Sequence, residues 1–198
     1  MEGPMGRKTR ALTLVEALIF LGIIMLLTVI IIPQVQGARI STNENEAIKT
    51  LKLLWEKASK IKNKNPKAFK IRDVVEEVKS SNPDIRIVEE SKKDGFGIVF
   101  HHGYLFYLWS SPQEDGTLIG YGWPAEIESS GISTFFINNE GKIYFCRNLR
   151  ERYSGSELRP DINAAFPMPT HKENKEAKNA VSYLGQDYQW WTLIKESA

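Results

Sequence analysis

The chain has 198 residues, Lys+Arg 26 against Asp+Glu 24, and a formal net charge of +2. That length holds one long helix and one domain of ordinary size, and so nearly balanced a charge gives no argument for a dedicated nucleic-acid surface. A single cysteine, Cys146, excludes any disulfide within the chain.

Residues 1–11 form a short basic leader, with Arg7, Lys8 and Arg10 against one acid, Glu2. From Leu12 to Ile32 the chain reads LTLVEALIFLGIIMLLTVIII, and its only charge is Glu16. An apolar run of that length spans a bilayer as a helix. A basic flank keeps the N-terminus cytoplasmic and sends the rest of the chain outward. A carboxylate inside such a run costs several kcal/mol unless a group pairs with it, so Glu16 predicts a partner. Pro33 follows directly and removes one backbone hydrogen bond, so the helix is expected to kink or loosen there.

The order of basic leader, small Ala11, Leu12-Thr13-Leu14-Val15-Glu16, apolar helix and Pro33 resembles the class III signal of type IV pilins and type II secretion pseudopilins. The resemblance in motif detail covers about the first quarter of the chain. Ala11 stands where that family has glycine, Leu12 where it commonly has phenylalanine, and Met25 where it often has glycine. The resemblance implies cleavage between Ala11 and Leu12 by a prepilin peptidase and N-methylation of Leu12. Glu16 then becomes the fifth mature residue, and Pro33 the twenty-second. It also implies assembly through an inner-membrane platform, with Glu16 of an incoming subunit meeting the N-terminal amine of a neighbour. The product would be a periplasmic pseudopilus or a cell-surface pilus, and membrane lipid surrounds the helix before assembly.

Two other readings compete. An ordinary secretory signal would be cut after a small-x-small site such as Val35-Gln36-Gly37, but its apolar region is shorter and uncharged. A plain single-span anchor carrying a periplasmic binding module fits the length and the basic flank, but leaves Glu16 and the register of Pro33 unexplained.

Past Pro33 the pattern becomes amphipathic. Ala47, Ile48, Leu51, Leu54, Trp55, Ala58 and Ile61 recur at three- and four-residue spacings among charged residues. The helix is therefore expected to run from Leu12 to about Asn63, with residues 12–33 in the membrane, 34–64 amphipathic, and 65–198 a globular domain. Asn65-Pro66 ends it. Lysines at 57, 60, 62, 64, 67 and 70 read as a solvated helix end rather than a DNA or lipid patch. A second helix is expected over Arg72–Ser80.

Strands are expected at Ile98–Phe100, Tyr104–Trp109, Thr117–Trp123, Ile132–Ile137 and Lys142–Cys146. His101-His102-Gly103 and Asn138-Asn139-Glu140-Gly141 read as hairpin turns, Ser111–Gly116 as a turn, and Pro124 as the end of an edge strand. Four or five antiparallel strands with a helix across them make an α+β fold, a layout shared with pilins. Beyond Asn148, residues 150–169 read as a loop over the sheet and Glu173–Leu184 as a short helix. Trp190 and Trp191 would pack the tail onto the domain in place of the missing disulfide, or present an aromatic patch.

No catalytic constellation emerges. His101 and His102 alternate in direction, His171 stands alone, and HExxH, phosphate-loop and Gly-x-Ser-x-Gly motifs are absent from the sequence. Asp161, Glu173 and Asp187 lack the spacing of calcium ligands. No enzyme activity, metal or cofactor is expected, and Cys146 reads as a small core residue.

Overall fold

A computed structural model of the chain describes residues 13–64, 70–90, 97–111, 117–150, 152–168 and 181–194. The leader, the Ala11–Leu12 junction, residues 112–116, His171 and Glu173 lie outside them. Packing divides the chain into two units, Met1–Ala38 and Arg39–Ala198.

Helix α1 runs over Leu14–Lys64 with Pro33 inside it. In the first unit the large apolar side chains described between Leu14 and Val35 stand exposed, from 77% at Leu14 to 43% at Ile24. A helix apolar on every face suits lipid or a helical bundle, and this one is long and apolar enough to cross a membrane.

In the second unit the helical residues Ala47, Leu51, Leu54 and Ala58 are fully buried. They share a core with α2 (Ile71–Lys79) and one face of an antiparallel sheet. Among the described residues the sheet has eight strands: β1 (Arg86–Glu90), β2 (Gly97–His101), β3 (Tyr104–Ser110), β4 (Leu118–Pro124), β5 (Thr134–Ile137), β6 (Ile143–Cys146), β7 (Ser182–Leu184) and β8 (Trp190–Leu193). Their order is β1-β2-β3-β4-β5-β6-β8-β7. The fold is therefore α+β, a long N-terminal helix followed by an antiparallel sheet.

β4 lets the helix approach. Gly120 and Gly122 face α1, and a Cβ on Gly120 would lie 3.2 Å from Leu51 Cδ1 and 2.6 Å from Leu108 Cδ2. Tyr121 and Trp123, the alternate residues, fill a second core on the opposite face. That face is roofed by residues 152–168 rather than by a helix. The Tyr121 hydroxyl donates to Ile162 O at 3.1 Å and accepts from Ala165 N at 3.1 Å. Trp123 Nε1 donates to Gly155 O at 2.7 Å. The expected loop over the sheet is thus pinned by buried aromatic polar groups.

Polar contacts also seat the amphipathic half of α1. Asn43 Nδ2 donates to Ser130 O at 2.8 Å, and Trp55 Nε1 to Leu118 O at 3.1 Å. Glu44 Oε1 accepts the backbone N–H of Ile132 at 3.1 Å and of Ser133 at 2.9 Å. Replacing Glu44 with Ala strands both amides, so urea unfolding should show a loss of about 1–3 kcal/mol. Glu44→Gln keeps an acceptor and should recover more than half of that loss. Lys62, read from sequence as solvated, is only 7% exposed and donates to Thr117 O at 2.8 Å. Its aliphatic stem lies along the helix–sheet seam while its head finds a carbonyl.

Three expectations need correction. The sheet has eight strands rather than four or five, because β1, β7 and β8 are short or polar. Pro124 does not mark an edge strand: β4 lies between β3 and β5. Pro124 pairs with Tyr104 on the β3 side, while pairing with β5 covers only Gly120–Gly122, so no ladder amide is needed from the proline there. Of the helix expected over Glu173–Leu184, residues 173–180 lie outside the described residues, and Ser182–Leu184 is a strand, drawn out by pairing with β8. The Asn138–Gly141 hairpin forms as expected. Gly141 adopts a φ of 77°, and Asn138 Oδ1 accepts from Glu140 N at 3.0 Å and Lys142 N at 2.9 Å.

Candidate functional site

The candidate assembly residues lie on α1. Thr13 precedes its first turn and Glu16 falls within it. Thr13 donates to Glu16 Oε2 twice, from its backbone N–H and from its hydroxyl, each at 2.9 Å. Glu16 N–H donates back to Thr13 Oγ1 at 3.3 Å. This reciprocal arrangement is a capping box, which satisfies amides that the first turn of a helix leaves without partners. Thr13-Leu14-Val15-Glu16 carries its sequence signature, a threonine followed three residues later by a glutamate.

The box bears directly on the argument from charge. Glu16 has local hydrogen-bond donors before any second molecule is considered, although none of them is a cation. Among the described residues both bonds from Thr13 fall on Oε2, which leaves Oε1 able to accept another donor. The helix macrodipole also favours an anion in its first turn.

Pro33 keeps helical geometry, with α1 assigned on both sides of it. Its ring nitrogen cannot donate, so the Val29 carbonyl lacks its usual helical bond. At about 1.5 Å per residue, Pro33 lies roughly 25 Å along the helix from Glu16. The two residues share a helix but do not form one site.

The other residues weighed from sequence separate in the same way. His101 is buried at 3% exposure, with Nδ1 2.9 Å from Thr50 Oγ1, while His102 turns outward at a φ of 45°. Burial holds the His101 imidazole below its ordinary pKa, and the neighbouring His102 adds to this. Cys146 is buried, and burial pushes its thiol up to about 12, so it stays protonated at neutral pH. Among the described residues no group of three His, Cys, Asp or Glu side chains is placed to hold a metal ion.

The C-terminal segment is held by a hub that the sequence did not reveal. Asp187 Oδ1 accepts from Gln189 N at 3.0 Å and Trp191 Nε1 at 3.2 Å. Its Oδ2 accepts from the Tyr153 hydroxyl at 3.0 Å. Asp187, considered as a calcium donor, instead ties the last turn to the loop over the sheet. Trp191 is fully buried, whereas Trp190 is 65% exposed.

Together these features define a class by architecture: an α+β domain carried on a long helix whose first half is apolar on every face and holds one acid in its first turn. Comparison with protein-family models, curated proteins and solved structures finds no match for the chain.

Proposed function

We propose that the chain is a structural subunit of a type IV pilus or a type II secretion pseudopilus. The observation that carries this reading is a lone carboxylate, Glu16, in the first turn of an exposed apolar helix that continues into a compact α+β domain. Cleavage after Ala11 would place a free α-amino group at Leu12, near the end of the helix that bears Glu16. In a bundle of such helices, Glu16 of one subunit pairs with the amine of its neighbour, and low local dielectric strengthens the pair. The apolar faces supply most of the cohesion, and the pair sets register.

The subunit would begin in the bacterial inner membrane with its N-terminus cytoplasmic. It would meet a prepilin peptidase and an assembly platform there, then enter a periplasmic pseudopilus or a surface pilus. Its function on this reading is mechanical rather than enzymatic.

One observation favours the single-span anchor carrying a periplasmic binding module. The capping box gives Glu16 a purely local structural use. Intact mass and N-terminal sequence of the protein, recovered from membranes of a host with a prepilin peptidase, decide between the readings. A chain starting at Leu12 and heavier by one methyl group is the expected result. Retention of Arg7–Ala11 would point to the anchored module, and a start near Ala38 to a secretory signal.

A further inference from the structure

β6 and β8 pair over only two residues, Tyr144 with Leu193 and Phe145 with Thr192. Ile194 donates to Ile143 O at 2.9 Å, whereas Leu193 turns its amide the other way, to Val181 O at 2.7 Å. Even-numbered residues of β8 therefore face β6 with their backbone, and odd-numbered residues of β6 face β8. The next rung of this ladder would join Arg147 to Trp190, and it does not form.

Asn148 accounts for the divergence. It adopts a φ of 50° and is only 3% exposed. Its Oδ1 accepts from Thr134 Oγ1 at 2.9 Å, and its Nδ2 donates to Ile132 O at 3.2 Å. These bonds draw the chain after β6 toward β5 and away from β8. On the other wall Tyr188 adopts a φ of 60°, unusual for a bulky residue, in the turn organised by Asp187.

Between the diverging strands lies a cleft of about 240 Å³, lined by Arg147, Leu149, Arg150, Tyr188 and Trp190 among others. Leu149 is 86% exposed, Trp190 65% and Tyr188 55%. Among the described residues neither Arg147 nor Arg150 pairs with a carboxylate. In sequence, Arg147–Arg152 holds three arginines and one acid, Glu151.

We propose that this cleft binds an extended acidic peptide segment of a partner protein, which adds its backbone at the open Arg147–Trp190 rung. Unpaired strand edges recognise peptide backbone. Side chains of an extended segment alternate in direction, so apolar residues would lie on Leu149 and Trp190 while acidic ones reach the guanidinium groups. The charged side chains lining the cleft are both donors, which suits a carboxylate. The charge of the cleft commits it to an acidic segment; the acids of β1, one of the two edge strands, pair within the chain, Glu90 with Arg72 and Glu89 with Arg159. The site goes beyond the filament reading and does not depend on Glu16.

The test is calorimetric titration of the full chain in detergent micelles with a blocked pentapeptide of alternating valine and glutamate. Saturable binding is expected, weakened about tenfold or more when lysine replaces glutamate in the peptide. The double variant Arg147→Gln, Arg150→Gln should weaken it by a similar factor, and N-methylation of the central peptide residue should weaken it as well. No saturation, or equal binding of the lysine peptide, overturns the proposal. Tighter binding of oligothymidylate than of the acidic peptide would reassign the cleft to nucleic acid. Self-association abolished by Trp190→Ala would reassign it to a second copy.

Discussion

Replacing Glu16 with Val or with Gln should abolish filament assembly while leaving membrane insertion intact. On the filament reading, either change leaves the N-terminal amine of the neighbouring subunit buried without a counter-charge. Breaking a buried pair from one side costs about 3–5 kcal/mol, which lowers subunit incorporation by roughly two to almost four orders of magnitude. Sheared filament yield, set against the amount of subunit in membranes, reads the effect. The glutamine variant is the sharper of the two. It keeps an acceptor for the Thr13 N–H and hydroxyl, each 2.9 Å from Glu16 Oε2, and removes only the charge. If Glu16 served the capping box alone, Glu16→Gln would behave as wild type and Glu16→Val would lose about 1 kcal/mol of helix-end stability. Normal filament yield from the glutamine variant would therefore sink the pairing mechanism.

The largest loss of stability should come from Trp191→Ala. Trp191 is fully buried. Its ring meets Tyr121 and Phe136 edge-on, with centroids 6.2 Å and 6.1 Å away, and its Nε1 donates to Asp187. Truncation removes the ring and leaves a cavity, at a cost of about 3–5 kcal/mol, a large share of the 5–15 kcal/mol typical of a folded domain. Trp190→Ala, beside it, should change the urea midpoint by no more than about 0.5 kcal/mol in equivalent stability. Near-UV circular dichroism during urea unfolding compares the two. A comparable loss from both would mean that the tail is not held through Trp191. With one cysteine in the chain, this tryptophan and Asp187 do the work that a disulfide could not.

The helices and the middle of the sheet were legible because their signals are local. Apolar spacing from Ala47 to Ile61 places a helix face wherever the rest of the chain lies, and α2 falls at Ile71–Lys79 against an expected Arg72–Ser80. Asn138-Asn139-Glu140-Gly141 sets its hairpin through side-chain bonds within the turn itself. The outer strands were not legible for the opposite reason. β1 reads Arg-Ile-Val-Glu-Glu and is mostly exposed, so pairing with β2 and the packing of Ile87 on the core, rather than a local signal, make it a strand. β7 likewise exists because β8 lies beside it. The capping box was legible, since Thr13 and Glu16 stand at its spacing. The Asp187 hub was not, because Tyr153 reaches it across 34 residues of sequence.

The sequence by itself determined a long helix apolar in its first half and amphipathic in its second, an antiparallel sheet following it, and a single acid placed in the apolar run. Those follow from periodicity, turn chemistry and charge, which act over a few residues. Only the tertiary structure decided which of two adjacent tryptophans is core and which is surface. Strand alternation requires that they differ but does not say which faces inward. That choice is made by the Asp187 carboxylate and the Tyr121–Phe136 cluster, which the folded chain brings to the Trp191 side. A separate pair of contacts, from Asn148 to Thr134 Oγ1 and Ile132 O, draws the chain after β6 toward β5 and parts β6 from β8, because hydrogen bonds between separate segments outweigh the local preference to extend a ladder.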